Sequence, residues 1–381
     1  YDGENLTIVT GTAAYADKNV GIGKAVAFTD FAIAGADAAN YNLVKQPESV
    51  TADITAKAVT IDGATVEATK VYDGTTAAKI TNSGTLSANY DGENLTIVTG
   101  TAAYADKNVG IGKTVTFTGF TLGGSAAENY ALTAQPEAVT ADITAKAVTI
   151  DGVTVEPTKV YDGTTAAKIT SAGTLSDNYD GENLTIVTGT AAYADKNVGT
   201  AKTVTFTDFS LGGSAAGNYA LTAQPEAVTA DITAKAVTIT GASVEAAKVY
   251  DGTTAAKITN SGTLSDNYDG ENLTIVTGTA AYADKNVGTA KTVTFTGFTL
   301  GGSAAENYSL TAQPESVTAD ITAKAVTIDG VTVEAAKVYD GTTVAKITNS
   351  GTLSADYDGE NLTIVTGTAA YADKNVGIGK A

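Results

Sequence analysis

Lys70-Val71-Tyr72-Asp73-Gly74-Thr75-Thr76 returns around Tyr161, Tyr250 and Tyr339, at a constant step of 89 residues (72 to 161, 161 to 250, 250 to 339). A second string, Tyr-Asp-Gly-Glu-Asn-Leu-Thr, keeps the same step at Tyr1, Tyr90, Tyr179, Tyr268 and Tyr357. A long period without insertions means that one small folding unit is copied along the chain. It replaces the two or three domains that a length of 381 residues would otherwise suggest.

The unit boundary falls most naturally between Ala-Asp-Ile-Thr-Ala and Lys-Ala-Val-Thr-Ile. The chain then reads as a partial repeat over residues 1–56, complete repeats over 57–145, 146–234 and 235–323, and a partial repeat over 324–381. Residues 357–381 repeat residues 1–25 without change, so the sequence reads as a window of a longer array. It has no leader-like start and no apolar run long enough to cross a bilayer, which places targeting and anchoring outside this window.

Composition removes whole chemistries. There is no Cys, Met, Trp or His, and every basic residue is Lys. Thiol nucleophiles, imidazole bases, disulfides and the usual zinc and haem ligands are therefore excluded. A net charge of −19 argues against nucleic acid as a partner, since phosphate binding needs clustered basic residues. A hydrophobic share of 43% is too high for an acidic disordered tail, so the units are expected to fold.

Within residues 57–145, Thr, Val, Ile and Tyr alternate with small or polar residues and are broken by Asp-Gly, Ser-Gly and Gly-Gly. This pattern predicts short strands near Ala58–Ile61, Thr65–Val66, Lys70–Tyr72, Ala77–Ile80, Leu95–Thr99, Ala102–Tyr104, Thr114–Thr118, Phe120–Leu122, Tyr130–Ala134 and Val139–Ala145. Only Ser125–Asn129 reads as a helical turn. The expected fold class is all-β: a linear tandem array of small antiparallel β-sandwich, Ig-like repeats, with a β-grasp-like repeat as the alternative.

Face parity changes inside Thr114–Leu122: Val115 and Phe117 share one parity, Phe120 and Leu122 the other. A bulge at Gly119 brings all four inward, and Asp30 and Asp208 stand at the equivalent place in other copies. The expected core gathers Tyr72, Tyr90, Tyr104, Phe117, Phe120 and Tyr130 around Val, Ile and Leu side chains. At roughly 1.5–3 kcal/mol for each large side chain buried, it holds a unit of this size without disulfides. The junction Val139–Ile150 has no Pro, Gly or spacer, and its parity flips once. A strand that runs directly into the next unit predicts a stiff connection, unlike a Gly/Ser linker.

Four strings occur in one order: Lys-Val-Tyr-Asp-Gly-Thr-Thr at Lys70, Tyr-Ala-Asp-Lys-Asn-Val-Gly at Tyr104, Leu-Gly-Gly-Ser-Ala-Ala-Glu-Asn-Tyr at Leu122, and Ala-Asp-Ile-Thr at Ala141. Together they resemble the YDG/MBG-type tandem repeats of bacterial surface adhesins, including filamentous-haemagglutinin-like proteins. The resemblance covers essentially the whole chain. It implies an extracellular, all-β stalk or fibre repeat at the bacterial cell surface, and it carries over no catalytic residues. The implied partners are a host or neighbouring-cell surface, reached through a domain outside this window, and neighbouring shafts; the alternative is a multivalent binding array for glycan, cation or neighbouring shafts, or a self-assembling fibre in which strands of another chain close the incomplete ends 1–56 and 324–381.

Candidate chemistry is thin. Each unit offers Asp73, Asp91, Glu93, Asp106, Glu128 and Asp142 as cation ligands, calcium being the cofactor to consider. Asp-Gly is also the preferred pair for tight turns, and that reading weighs more. Tyr72 could stack on a sugar, but a tyrosine in an alternating strand is more often packing with a bonded hydroxyl. Asp91 and Glu93 form a carboxylate pair, yet one copied identically along an array without a pocket-forming insertion. Asn94-Leu95-Thr96 and its copies at Asn183, Asn272 and Asn361 satisfy a glycosylation sequon. Lysines and asparagines are common enough for an isopeptide bond, but no spacing singles out a pair. The chain is read as a non-enzyme with no catalytic, cofactor-binding or metal-ligating residue.

Overall fold

The computed structural model describes residues 2–179, 181–268, 270–355 and 360–381. Tyr1 and Tyr357, which open two copies of the second string, lie outside the described residues, as do Asp180, Asp269, Asp356, Asp358 and Gly359. The chain divides into two compact units, one of Tyr1–Thr154, Ile169–Thr190 and Phe206–Glu226, the other of Val155–Lys168, Ala191–Thr205 and Ala227–Ala381.

The first unit is built from short strands, as the alternation predicts. Its largest sheet runs in the order Ala77–Ala78, Thr101–Tyr104, Gly110–Thr118, Val139–Thr144, Thr69–Val71. Two-stranded ribbons surround it: Ile61–Asp62 with Thr85–Leu86, Thr65–Val66 with Ile80–Asn82, and Thr96–Val98 with Thr121–Gly123. Among the described residues of this unit pairing is antiparallel except in three places, where Thr69–Val71 runs parallel to Val139–Thr144, Lys57–Val59 to Tyr130–Leu132, and Lys146–Val148 to Tyr219–Leu221. Parallel neighbours need a long crossover, and the residues between these segments supply one. The helical turn read over Ser125–Asn129 is a 3-10 turn at Ala127–Asn129. Among the described residues the helices are such three-residue turns, too short to cover a sheet as a β-grasp requires.

Some boundaries differ from the expectation. The strand expected over Ala58–Ile61 breaks at Thr60, whose N–H donates to Ser87 Oγ at 2.9 Å. That break turns Ile61 towards the hairpin partner at Leu86, a pairing that period-2 alternation alone does not reveal. The change of parity at Gly119 is a backbone feature: φ is 71° there and 66° and 63° at Asp30 and Asp208. With it Val115, Phe117 and Phe120 are all buried, and the two phenylalanines meet edge to face at 5.8 Å. Gly100 lies against this bend so closely that a Cβ would sit 2.0 Å from the Thr118 carbonyl oxygen.

The core of the first unit runs without a break from Ile61, Tyr72, Phe117 and Ile143 to Val148, Leu184 and Tyr219. Packing is therefore continuous past Ala145. The strand Val139–Thr144 is followed after one residue by Lys146–Val148; Ala141 and Ile143 are buried before it, Val148 and Ile150 after it. The buried parity flips where the sequence places the flip.

The second unit repeats the plan. Its largest sheet runs in the order Ala247–Val249, Val317–Thr322, Gly288–Thr296, Thr279–Tyr282, Ala255–Ala256. Its core gathers Ile239, Tyr282, Val293, Phe295, Phe298 and Ile321. Thr158–Val160 again runs parallel to Val228–Thr233. Towards Ala381 three ribbons form: Ile328–Asp329 with Thr352–Leu353, Thr332–Val333 with Ile347–Asn349, and Val344–Ala345 with Ala369–Ala370.

Candidate functional site

The loop that carries Tyr72 is shaped by its own sequence. Asp73 Oδ1 accepts from the N–H and hydroxyl of Thr75, both at 2.9 Å, which bends the chain at Gly74 with φ of 76°. The Lys70 ammonium fills the inside of this bend, donating to Asp73 Oδ1 at 2.7 Å and to the carbonyls of Thr75 and Ala77 at 2.9 Å. It also lies over the Tyr104 ring at 5.4 Å. The loop is thus pinned from within, and Tyr72 is 1% exposed.

What buries Tyr72 comes from the following repeat. Its ring meets Tyr179 and Tyr219 edge to face, with centroids at 5.8 and 5.5 Å. Its hydroxyl donates to Glu182 Oε1. The same oxygen takes Lys107 Nζ at 2.6 Å, and Glu182 Oε2 accepts from the Tyr219 hydroxyl at 2.7 Å. Beside this cluster the buried Asn218 accepts from the Val109 N–H at 2.9 Å and donates to Asn108 Oδ1 at 3.1 Å. Two repeats are thereby clamped by one carboxylate, three tyrosines, one lysine and an asparagine pair.

The second unit holds the same clamp with every residue advanced by one period. The Tyr161 hydroxyl donates to Glu271, Lys196 Nζ lies 2.5 Å from Glu271 Oε1, and the Tyr308 hydroxyl lies 2.7 Å from Oε2. Asn307 takes the Val198 N–H at 2.8 Å. In the first unit Lys18, Glu93, Tyr130 and Asn129 form part of another copy, with Lys18 Nζ 2.8 Å from Glu93 and the Tyr130 hydroxyl 2.6 Å from it.

The clamp fixes protonation. Burial works against the Glu182 carboxylate, but Lys107, Tyr72 and Tyr219 together outweigh it and hold its pKa down at about 2. Tyr219 is pushed up to about 12 by burial and by the carboxylate beside it. The bond to Glu182 raises Lys107. A protonated amine facing an ionised carboxylate is an ion pair and not a nucleophile facing an acid, so the arrangement grips and does not favour amide formation.

The acidic residues named from sequence are dispersed. Asp73 is held by Lys70, Asp106 by Lys113 at 2.7 Å, Glu93 by Lys18, and Asp142 Oδ1 by the Gly112 N–H at 2.7 Å. Asp91 and Glu128 are exposed. Among the described residues no group of three or more acidic side chains is placed to hold a metal ion. Asn94, Asn183, Asn272 and Asn361 are exposed. Sequence reasoning picked out Tyr72 as packing but did not join it to Lys107, Glu182 or Asn218. The available signal was that all four lie inside the strings repeated every period.

Among the described residues no helix is long and apolar enough to cross a membrane. No curated protein and no solved structure matches the chain significantly. A match to the YDG domain covers residues 1–50, 55–138, 144–227, 233–316 and 322–381. The chain belongs to the YDG domain family, as a tandem array of that domain.

Proposed function

We propose that the chain is the shaft of a bacterial extracellular adhesin or surface filament, a non-catalytic spacer that holds a binding domain away from the cell. The observation that carries this reading is the clamp. Successive repeats share a buried carboxylate and a continuous apolar core, so bending at the junction costs packing and an ion pair, where a flexible linker would cost little. One such clamp lies within each unit. Small-angle X-ray scattering on the whole chain tests the proposal. A compact globule of this length would have a radius of gyration of about 21 Å. A shaft should give roughly twice that, unchanged by calcium or chelator; a value near the globular one ends the spacer reading.

A further inference from the structure

A pull along this chain enters each repeat at its first strand and leaves it at its last, because no spacer separates one repeat from the next. In the first unit Val139–Thr144 is followed after one residue by Lys146–Val148, and in the second unit Val228–Thr233 is followed after one residue by Lys235–Val237. The load therefore passes through whatever holds the early strands of a repeat to its late ones.

Those contacts share one direction. Lys57–Val59 runs parallel to Tyr130–Leu132, and Thr69–Val71 to Val139–Thr144. The first contact returns between Lys146–Val148 and Tyr219–Leu221 and between Lys235–Val237 and Tyr308–Leu310. The second returns between Thr158–Val160 and Val228–Thr233 and between Ala247–Val249 and Val317–Thr322. Had early and late strands been antiparallel, their outer ends would lie together and tension would open the ladder one bond at a time. In a parallel pair the pulled ends lie at opposite ends of the ladder, so tension slides one strand along the other against all its bonds at once.

The second contact is also anchored beyond the ladder. Tyr72 N–H donates to the Thr144 carbonyl at 2.8 Å, Asp142 N–H to the Ala68 carbonyl at 2.9 Å, and the Thr144 hydroxyl to the Lys70 carbonyl at 3.2 Å. Lys70 Nζ is tied to the carbonyls of Thr75 and Ala77, and the Tyr72 hydroxyl to Glu182. In the second unit Tyr161 N–H donates to the Thr233 carbonyl at 2.8 Å and Asp231 N–H to the Pro157 carbonyl at 2.9 Å. Residues 73–129 lie behind both contacts and carry no load until these give way.

We propose that the array bears tension: in each complete repeat the two parallel contacts are loaded in shear and form a lock that opens only by sliding. Resistance to forced unfolding is set by the unfolding barrier and not by equilibrium stability. The inference goes beyond the spacer reading, since a shaft can hold a binding domain away from a cell without bearing load. A chain that is extended in scattering but shows no dependence on the direction of pulling keeps the shaft and loses this proposal.

Single-molecule pulling on the intact chain tests it. The sequence contains no Cys, so paired cysteines, kept reduced, give unique attachment points. Thr69→Cys with Thr144→Cys grips the parallel contact at opposite ends, whereas Val71→Cys with Thr144→Cys grips two residues that face each other at one end. All three positions are exposed. Either pair releases nearly the same length, up to about 250 Å at roughly 3.3–3.6 Å per residue, so both traces report the same event. At matched loading rate the first pair should yield at several times the force of the second. Ala247→Cys and Val249→Cys, each combined with Thr322→Cys, put the same question to the second unit and decide it if a variant of the first fails to fold. Equal forces for the two directions, or a weaker first pair, overturn the proposal.

Discussion

Glu182 Oε1 lies 2.6 Å from Lys107 Nζ and accepts the hydroxyl of Tyr72, although 110 residues separate that tyrosine from the carboxylate. Tyrosine and lysine belong to one repeat and the carboxylate to the next. The carboxylate therefore joins the two repeats, and the side chain of Glu182 is only 8% exposed.

Removing that charge should loosen the junction. Glu182→Gln cannot accept from both tyrosines and the lysine, and should cost about 1–2 kcal/mol after allowing for the half-exposed lysine. Tyr72→Phe, which loses one hydroxyl and keeps the ring, should cost about 1 kcal/mol, and Tyr72→Ala about 3–5 kcal/mol. Chemical denaturation of the three variants gives the order; equal midpoints for all three and wild type would show that the clamp does not hold the fold.

Stability should be flat across neutral pH and fall at both extremes. The Glu182 pKa is lowered from 4.5 to about 2, so its contribution is complete above 4.5 and lost as pH drops through 2. The Tyr219 pKa is raised from 10.0 to about 12, so the unfolded chain loses that proton first, and stability declines as pH climbs from 10 towards 12. Thermal melts in steps of one pH unit should trace this plateau, and Glu182→Gln should flatten its acid edge. An acid edge that is the same in wild type and variant would assign it to other carboxylates.

Two loops carry alanine where their counterparts carry glycine. Gly112 has φ of 62°, and the equivalent Ala201 and Ala290 have 49° and 48°. A Cβ at Gly112 would touch nothing within 4 Å, so the difference is purely conformational. Ala201→Gly and Ala290→Gly should each stabilise by about 1 kcal/mol, and Gly112→Ala should destabilise by a similar amount. Melting temperatures that move the opposite way would contradict the left-handed assignment.

Gly100 should be far less tolerant. Its added Cβ would lie 2.0 Å from a backbone oxygen that cannot swing aside. Gly100→Ala should cost about 3 kcal/mol and shift the neighbouring strands. Amide exchange along Thr101–Tyr104 and Gly110–Thr118 reads this directly, and unchanged protection there would refute the close approach.

Much of this protein was legible in the residues alone. The period, the all-β class, the inward turn at Gly119 and the flip of face after Ala145 all follow from alternation and turn chemistry, which act over a few residues. Tyr72 was readable as packing because a tyrosine among alternating residues fits a half-buried strand. Its partners were not. Parallel pairing of Thr69–Val71 with Val139–Thr144, and the meeting of Tyr72 and Lys107 with Glu182, depend on how one repeat lies against the next. Local pattern determines which face of a strand is buried, because side chains alternate with the pleat. Which distant carboxylate receives a tyrosine was decided only by the tertiary path, since contacts so far apart in sequence leave no periodic trace between them.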